Sequence, residues 1–233
     1  NHYCDLSPAA NGKTIKCSKP AFVRMYSRCW QQLWSCRYSL SMQPYLIIFV
    51  RNPVLGKVKT RIAATIGDEN ALAVYKHLLQ RTKDITEGLA VAKFVFYADG
   101  VTANDLWNGY EKCLQCGIDL GERMRNAFEW VLEKGYDKII IIGSDCFELD
   151  EKIISVAFLK LDEYDIVIGP ATDGGYYLLG MQSPFKNMFE NITWSSGSVF
   201  NETEKQIEQQ KLSLFLLPLL NDVDEEKDIT FTW

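Results

Sequence analysis

The chain has 233 residues, 47% of them hydrophobic and 24% charged, with a formal net charge of −5, which is the balance of one globular domain with a sizeable core. No apolar run in it approaches the ~20 residues that a membrane-crossing helix needs. Residues 1–41 carry six Lys/Arg against one Asp, whereas 42–233 carry 19 against 29; a body this acidic excludes a general nucleic-acid binder, whose phosphate contacts need a basic face.

The first 41 residues hold four of the seven cysteines (Cys4, Cys17, Cys29, Cys36) and sustain neither a helical nor a strand period. They read as an extension outside the domain 42–233, with translated upstream sequence favoured over a targeting sequence or a cloning artefact. The cysteine spacings match no zinc pattern, and His2 and His77 are too few for a His-rich metal site. Cys113 and Cys116 form a lone C-x-x-C, expected to be chance or a buried thiol. The body shows no disulfide framework, so a reducing cytoplasm is the expected location.

From Pro44 onward, short apolar runs alternate with amphipathic stretches. Strands are predicted at 45–50, 93–98, 138–142, 165–168, 176–179 and 214–217. Helices are predicted at 68–83, with Leu72, Tyr75 and Leu79 on one face; at 121–134, with Met124, Phe128 and Val131; at 150–162, with Asp150 as N-cap; and at 199–210. Strand and helix in repetition imply an α/β domain with a mostly parallel sheet covered on both faces. Ligands of such open sheets sit beyond the carboxyl ends of the strands, so the residues just after each strand carry the information.

After the first strand comes "RNPVLGKVKTR" (51–61), with Arg51, Lys57, Lys59 and Arg61 and no acid, shaped by Pro53 and Gly56. It is either a solvated basic loop or a phosphate clamp, and its place at a strand end favours the clamp. It is not a P-loop, and no G-x-G-x-x-G occurs. Asp99 follows the second strand, where a plain turn is the alternative. In "QCGIDLGERMRNAF" (115–128), Gln115, Glu122 and Arg123 enter a helix start, where they could read a base or hold an anionic acceptor. After the third strand, "GSDCFELD" (143–150) places Asp145 in the same crevice. A carboxylate beside a phosphate clamp repels the ligand unless a cation stands between them, so Mg2+ or Mn2+ is expected at Asp145. "GPATDGGYYLLG" (169–180) is a tight turn by the plain reading. At a pocket edge, Gly174 and Gly175 would let substrate pass close to the main chain, with Asp173 touching metal or acceptor. "NDVDEEKD" (221–228) offers Asp222 and Asp224, one of which could complete the metal shell.

In combination, "FVRNPVLGKVKTRIA", "LGERM", "GSDC", "GPATDGGYYLLG", "ITWSSGSV" and "DVDEEKDI" resemble the bacterial selenodomain-associated transferase family (type one) of the nucleotide-diphospho-sugar transferase superfamily. The resemblance covers about residues 44–230. It implies the glycosyltransferase-A fold, a Rossmann-like three-layer sandwich with a mostly parallel mixed sheet. It further implies a nucleotide bound through Lys59 and Arg61, a divalent metal at Asp145 and an acceptor side from Asp173 to Tyr176. The chain departs from the pattern at Phe147, where Pro is usual, and at Glu225 and Glu226, where "DVDTPED" is common; both changes leave the carboxylates in place.

The expected function is metal-dependent transfer from an activated nucleotide to a small-molecule acceptor. Glycosyl transfer from an NDP-sugar and nucleotidyl transfer from an NTP both stay open. Lys59 and Arg61, together with Mg2+ held at Asp145, would carry the chemistry by neutralising the departing pyrophosphate. A catalytically silent nucleotide-binding or partner-binding module is the alternative. No nucleic-acid partner and no membrane span are expected, and a homodimer is admissible.

Overall fold

A computed structural model describes residues 44–183 and 185–233, so the extension 1–41, its four cysteines and the expectation that it stands outside the domain lie beyond the described residues. The elements in chain order are β1 (Pro44–Val50), α1 (Thr60–Ile66), α2 (Asp68–Glu87), β2 (Ala92–Tyr97), β3 (Glu111–Leu114), α3 (Leu120–Glu133), β4 (Lys138–Ile142), α4 (Glu151–Lys160), β5 (Ile166–Pro170), β6 (Tyr176–Met181), α5 (Val199–Gln209) and β7 (Leu214–Leu216). Short 3-10 turns occupy Lys186–Phe189 and Glu226–Asp228.

The seven strands form one sheet in the order β3-β2-β1-β4-β6-β5-β7. All neighbours are parallel except β6, which runs antiparallel to both β4 and β5. The sheet reads as near-continuous apolar runs in sequence because both its faces are covered. Alternate residues of each strand enter opposite cores. Leu46, Ile48 and Ile142 join Tyr75 and Leu79 of α2 and Ile154 and Phe158 of α4 on one side. Tyr45, Ile47, Phe94 and Phe96 meet Met124, Phe128 and Val131 of α3 and Ile207 of α5 on the other. This is the expected three-layer α/β sandwich.

Two caps act as their sequences suggest: Asp119 accepts from the Glu122 amide and Asp150 from the Ile153 amide, both at 2.8 Å. Two elements escape the sequence reading. β3 has four residues with Cys113 alone buried, and α1 has seven with Ile62 alone buried, so neither is long enough to show a period. Among the described residues no helix is long and apolar enough to cross a membrane.

The order of β1 and its neighbours positions the site. The chain leaves β1 toward β2 and β3 on one side and returns to β4 on the other, so a crevice opens between the carboxyl ends of β1 and β4.

Candidate active site

Four segments meet at that crevice: 51–61 after β1, 143–150 after β4, the 171–175 turn between β5 and β6, and 220–224 after β7. Backbone hydrogen bonds join them, from Val223 N to Asp145 O at 2.9 Å, from Thr172 N to Leu220 O at 3.0 Å and from Leu220 N to Pro170 O at 3.2 Å. Side chains extend the seam: Thr172 donates to the Asn221 side chain, and Glu148 accepts from the Asn221 amide at 2.9 Å.

Lys59 lies at the centre. It is the N-cap of α1 with φ 49 and ψ 45, a left-handed conformation that a residue with a Cβ seldom adopts outside functional or tightly constrained sites. Its side chain is 6% exposed, and Nζ lies 2.8 Å from Asp145 Oδ1 and 3.3 Å from Asp224 Oδ1. Burial alone would depress the Lys59 pKa, but the two carboxylates outweigh it and leave the pKa above its ordinary value. Arg61, well exposed, reaches Asp224 Oδ2 at 3.7 Å.

Asp222 has no such relief. Burial first, then the charges of Asp145 and Asp173, push its pKa from 3.8 to about 7, with Lys59 opposing. The Oδ1 atoms of Asp145 and Asp222 are both buried without an aligned hydrogen bond. For Asp145 that oxygen has the Lys59 ammonium beside it at 2.8 Å; Asp222 Oδ1 has no such partner. Among the described residues no three carboxylate, His or Cys side chains are gathered into a cage as they stand. The unpaired Asp222 Oδ1 and the crowded negative charge would nonetheless suit a hard, oxygen-seeking cation, for which Asp145, Asp222 and Asp224 would be the donors.

The raised Asp222 pKa has a sign that can be checked. From about pH 4 to about pH 7 the folded state holds a proton that the unfolded chain has released, so stability falls as pH rises through that window. Asp222→Asn removes the penalty. In metal-free buffer its melting temperature is expected to exceed that of wild type by about 3 °C or more near pH 8, roughly 1 kcal/mol for a domain of this size, and to converge with it toward pH 4. A difference that does not change with pH would exclude this ionisation as its source.

The other sequence-predicted residues are distributed differently. Arg51, Gly56 and Lys57 are exposed on the first loop, and Gly56 has φ 71. Asp99 is exposed just past β2. Gln115 buttresses the sheet, its amide donating to Val50 O at 3.3 Å and Phe96 O at 2.9 Å. Glu122 accepts from the Ile118 amide at 2.7 Å, and Arg123 Nε donates to Gly117 O at 3.2 Å, so both hold the loop before α3. None of these bonds reaches the Lys59 cluster. Asp173 is exposed and accepts from the Gly175 amide at 2.8 Å in an Asx-type turn. The Tyr176 hydroxyl is buried, which raises its pKa, and lies beside Thr203 instead of facing the crevice.

The paired glycines are the β5–β6 turn, and the close approach at the first of them is made by the chain itself. A Cβ on Gly174, whose φ is 88, would lie 2.0 Å from Gly197 O. The Phe200 amide donates to Gly174 O at 2.8 Å, locking the "SSGS" loop against the turn.

Several residues that complete the site carried no distinguishing signal in the sequence. Tyr75 looks like any apolar-face residue of α2, yet its hydroxyl accepts from Arg51 N at 2.8 Å and lies 3.2 Å from Arg51 O. Burial, then the Asp145 charge, push its pKa to about 12. Ser144, Glu148, Thr172 and Asn221 are ordinary loop residues until the loops converge. Cys113 and Cys146 are buried free thiols, both raised to about 12 chiefly by burial, and so poor nucleophiles. Phe147, the departure from the family pattern, stacks on Phe231 at 4.0 Å, and Glu225 caps the 3-10 turn that follows it.

Comparison with known proteins agrees with this architecture. Residues 76–196 match the family described as an uncharacterized protein conserved in bacteria (DUF2064). Among solved structures, the chain is similar to a protein of Desulfovibrio desulfuricans G20 assigned as a nucleotide-diphospho-sugar transferase, at 33% identity and a TM-score of 0.72, over 78% of this chain and 82% of that one. Similar in fold alone are 4-diphosphocytidyl-2C-methyl-D-erythritol synthase of Anaerococcus prevotii DSM 20548 (9% identity, TM-score 0.51, 80% and 92% covered) and Rv0371c of Mycobacterium tuberculosis H37Rv (12% identity, TM-score 0.50, 80% and 95% covered). A comparison with curated proteins gave no match.

Proposed function

The chain belongs to the DUF2064 family of bacterial proteins, and from that premise we propose that it is a metal-dependent transferase acting on an activated nucleotide and a small-molecule acceptor. The observation that carries this reading is the placement of Lys59 between Asp145 and Asp224 at the switch point of the sheet, with Arg61 beside them. In an acidic chain, that is where cationic and anionic groups stand close enough to divide a phosphate–metal ligand between them.

Lys59 and Arg61 bind phosphate oxygens and draw off charge as the pyrophosphate or nucleoside diphosphate departs. Asp145, with Asp222 and Asp224, holds Mg2+ or Mn2+, which when bound supplies further neutralisation of the same phosphates. Tyr75 fixes the main chain of Arg51 and hence the start of the phosphate loop. Thr172, Asp173 and Asn221, on the two loops that follow β5 and β7, border the acceptor. The assignment of the 33%-identical relative supports glycosyl transfer from an NDP-sugar; a single domain without a separate acceptor module suits nucleotidyl transfer from an NTP equally well.

A melting-temperature screen of NTPs and NDP-sugars, each with and without Mn2+, tests the reading, because a ligand that binds only the folded state raises the transition by mass action. A shift that needs both nucleotide and Mn2+ is expected. Identifying the leaving group as pyrophosphate or nucleoside diphosphate then separates the two reactions. Nucleotide binding indifferent to metal, with no turnover, would replace the transferase by a silent binding module. In the same assay Lys59→Ala or Arg61→Ala should weaken di- and triphosphate binding by about tenfold to a hundredfold, the ~1.5–3 kcal/mol scale of a charged hydrogen bond, while leaving nucleoside binding unchanged. An equal loss for nucleoside would place these two residues away from the phosphates.

A further inference from the structure

Lys59 is neutralised before any ligand arrives. Its ammonium is shielded from solvent and lies 2.8 Å from Asp145 and 3.3 Å from Asp224. Resting on the reading above, we propose that Lys59 is the residue that makes the site select a metal–polyphosphate complex and reject a free divalent cation.

The argument is one of charge balance in a partly desolvated cluster. A dication approaching Asp145 and Asp224 alone meets the Lys59 ammonium already placed between them. Lys59 would have to be displaced with no anion to receive it, and a buried cation stripped of its partner is among the most unfavourable states a folded chain can hold. A polyphosphate alone has the reverse defect. It offers Lys59 an anion but leaves Asp145, Asp222 and Asp224 crowded together without a counter-charge. A ligand that brings both signs satisfies both halves at once: the carboxylates turn to the dication and Lys59 to the phosphate oxygens. Metal and polyphosphate therefore bind with positive coupling, and by reciprocity each strengthens the other by the same factor. The root of the side chain is fixed by the left-handed backbone at φ 49 and by the first turn of α1, whose Ala63 amide donates to Lys59 O at 2.8 Å, so the exchange needs movement of the side chain only.

The rival is a Lys59 that only fastens three loops together. The two differ in what happens to the metal when the charge is removed. Mn2+ alone is titrated into wild type, Lys59→Met, Lys59→Gln and Lys59→Arg, with free Mn2+ followed by electron paramagnetic resonance and the melting temperature of each protein recorded. The two neutral variants are expected to bind Mn2+ alone about tenfold or more tighter than wild type, within the usual range of coupling between sites, and Lys59→Arg to bind it as weakly as wild type. The use of two neutral side chains of different shape guards against one of them failing to fold. If wild type shows the nucleotide-plus-Mn2+ melting shift but neither neutral variant gains affinity for Mn2+ alone, this inference is overturned and the transferase reading stands. If no protein binds Mn2+ with or without nucleotide, both are overturned.

Discussion

Asp145→Asn is expected to abolish metal-dependent turnover, by about a hundredfold or more, while the protein stays folded. The size is that of removing one preorganised electrostatic group from a transfer site. The fold is spared because two effects oppose each other. Lys59 loses its nearer partner but keeps Asp224 at 3.3 Å, and Asp222 loses the neighbouring charge that, after burial, does most to raise its pKa. Asn also preserves the size of the side chain and leaves untouched the Asp145 carbonyl that accepts from the Val223 amide. Turnover on whichever nucleotide the melting screen returns, measured beside the melting temperature and the Mn2+ affinity, checks this. Retained activity with unchanged Mn2+ affinity would move the metal to Asp222 and Asp224.

Gly174→Ala is expected to be the most damaging small substitution near the site, costing about 3 kcal/mol or more, the top of the range for overpacking, and lowering the melting temperature by roughly 6–12 °C. The new Cβ would lie 2.0, 2.6 and 2.9 Å from the O, C and Cα of Gly197, all main-chain atoms that no rotamer change can move. The left-handed φ of 88 adds its own penalty. Gly67→Ala separates the two terms, because Gly67 has φ 85 but nothing within 4 Å of the added carbon. That control, at φ 85 and ψ 159, should lose about 1–3 kcal/mol from backbone strain alone. Gly175→Ala should be tolerated, since its nearest contact, 3.2 Å away, is the Asp173 side chain and not backbone. A Gly174→Ala protein no less stable than Gly67→Ala would mean that the loop carrying Gly197 yields without cost.

Much of the frame was legible because burial leaves a local trace. The run Lys138–Ile142 reads as a buried strand, and the stripe of Ile154, Ala157 and Phe158 behind Asp150 reads as a capped helix; both formed within a residue or two of their expected bounds. β3 and α1 were not legible, since one buried residue in each gives no period to detect. The site was legible to the extent that it follows the strand ends. Lys59, Arg61, Asp145, Asp222 and Asp224 were identified by position and do meet, whereas Gln115, Glu122 and Arg123, chosen by the same rule, are engaged elsewhere, Gln115 in buttressing β1 and β2 and the other two in holding the loop before α3. Both groups are polar residues after a strand or at a helix start, and one sequence cannot tell an inward-facing polar group from one that caps its own turn.

The sequence by itself determined the α/β class, the alternation of strands and helices and the set of charged loops at one edge of the sheet, because apolar periodicity and turn chemistry act over a few residues. The tertiary structure alone decided that β6 enters between β4 and β5 as an antiparallel strand, that Lys59 reaches Asp224 165 positions away along the chain, and that the main chain of Gly197 packs against Gly174. It also decided that burial, then the Asp145 and Asp173 charges, push the Asp222 pKa up. These depend on strand order and on charge crowding in a partly dry crevice, and both are properties of segments brought together across the chain, which no local pattern records.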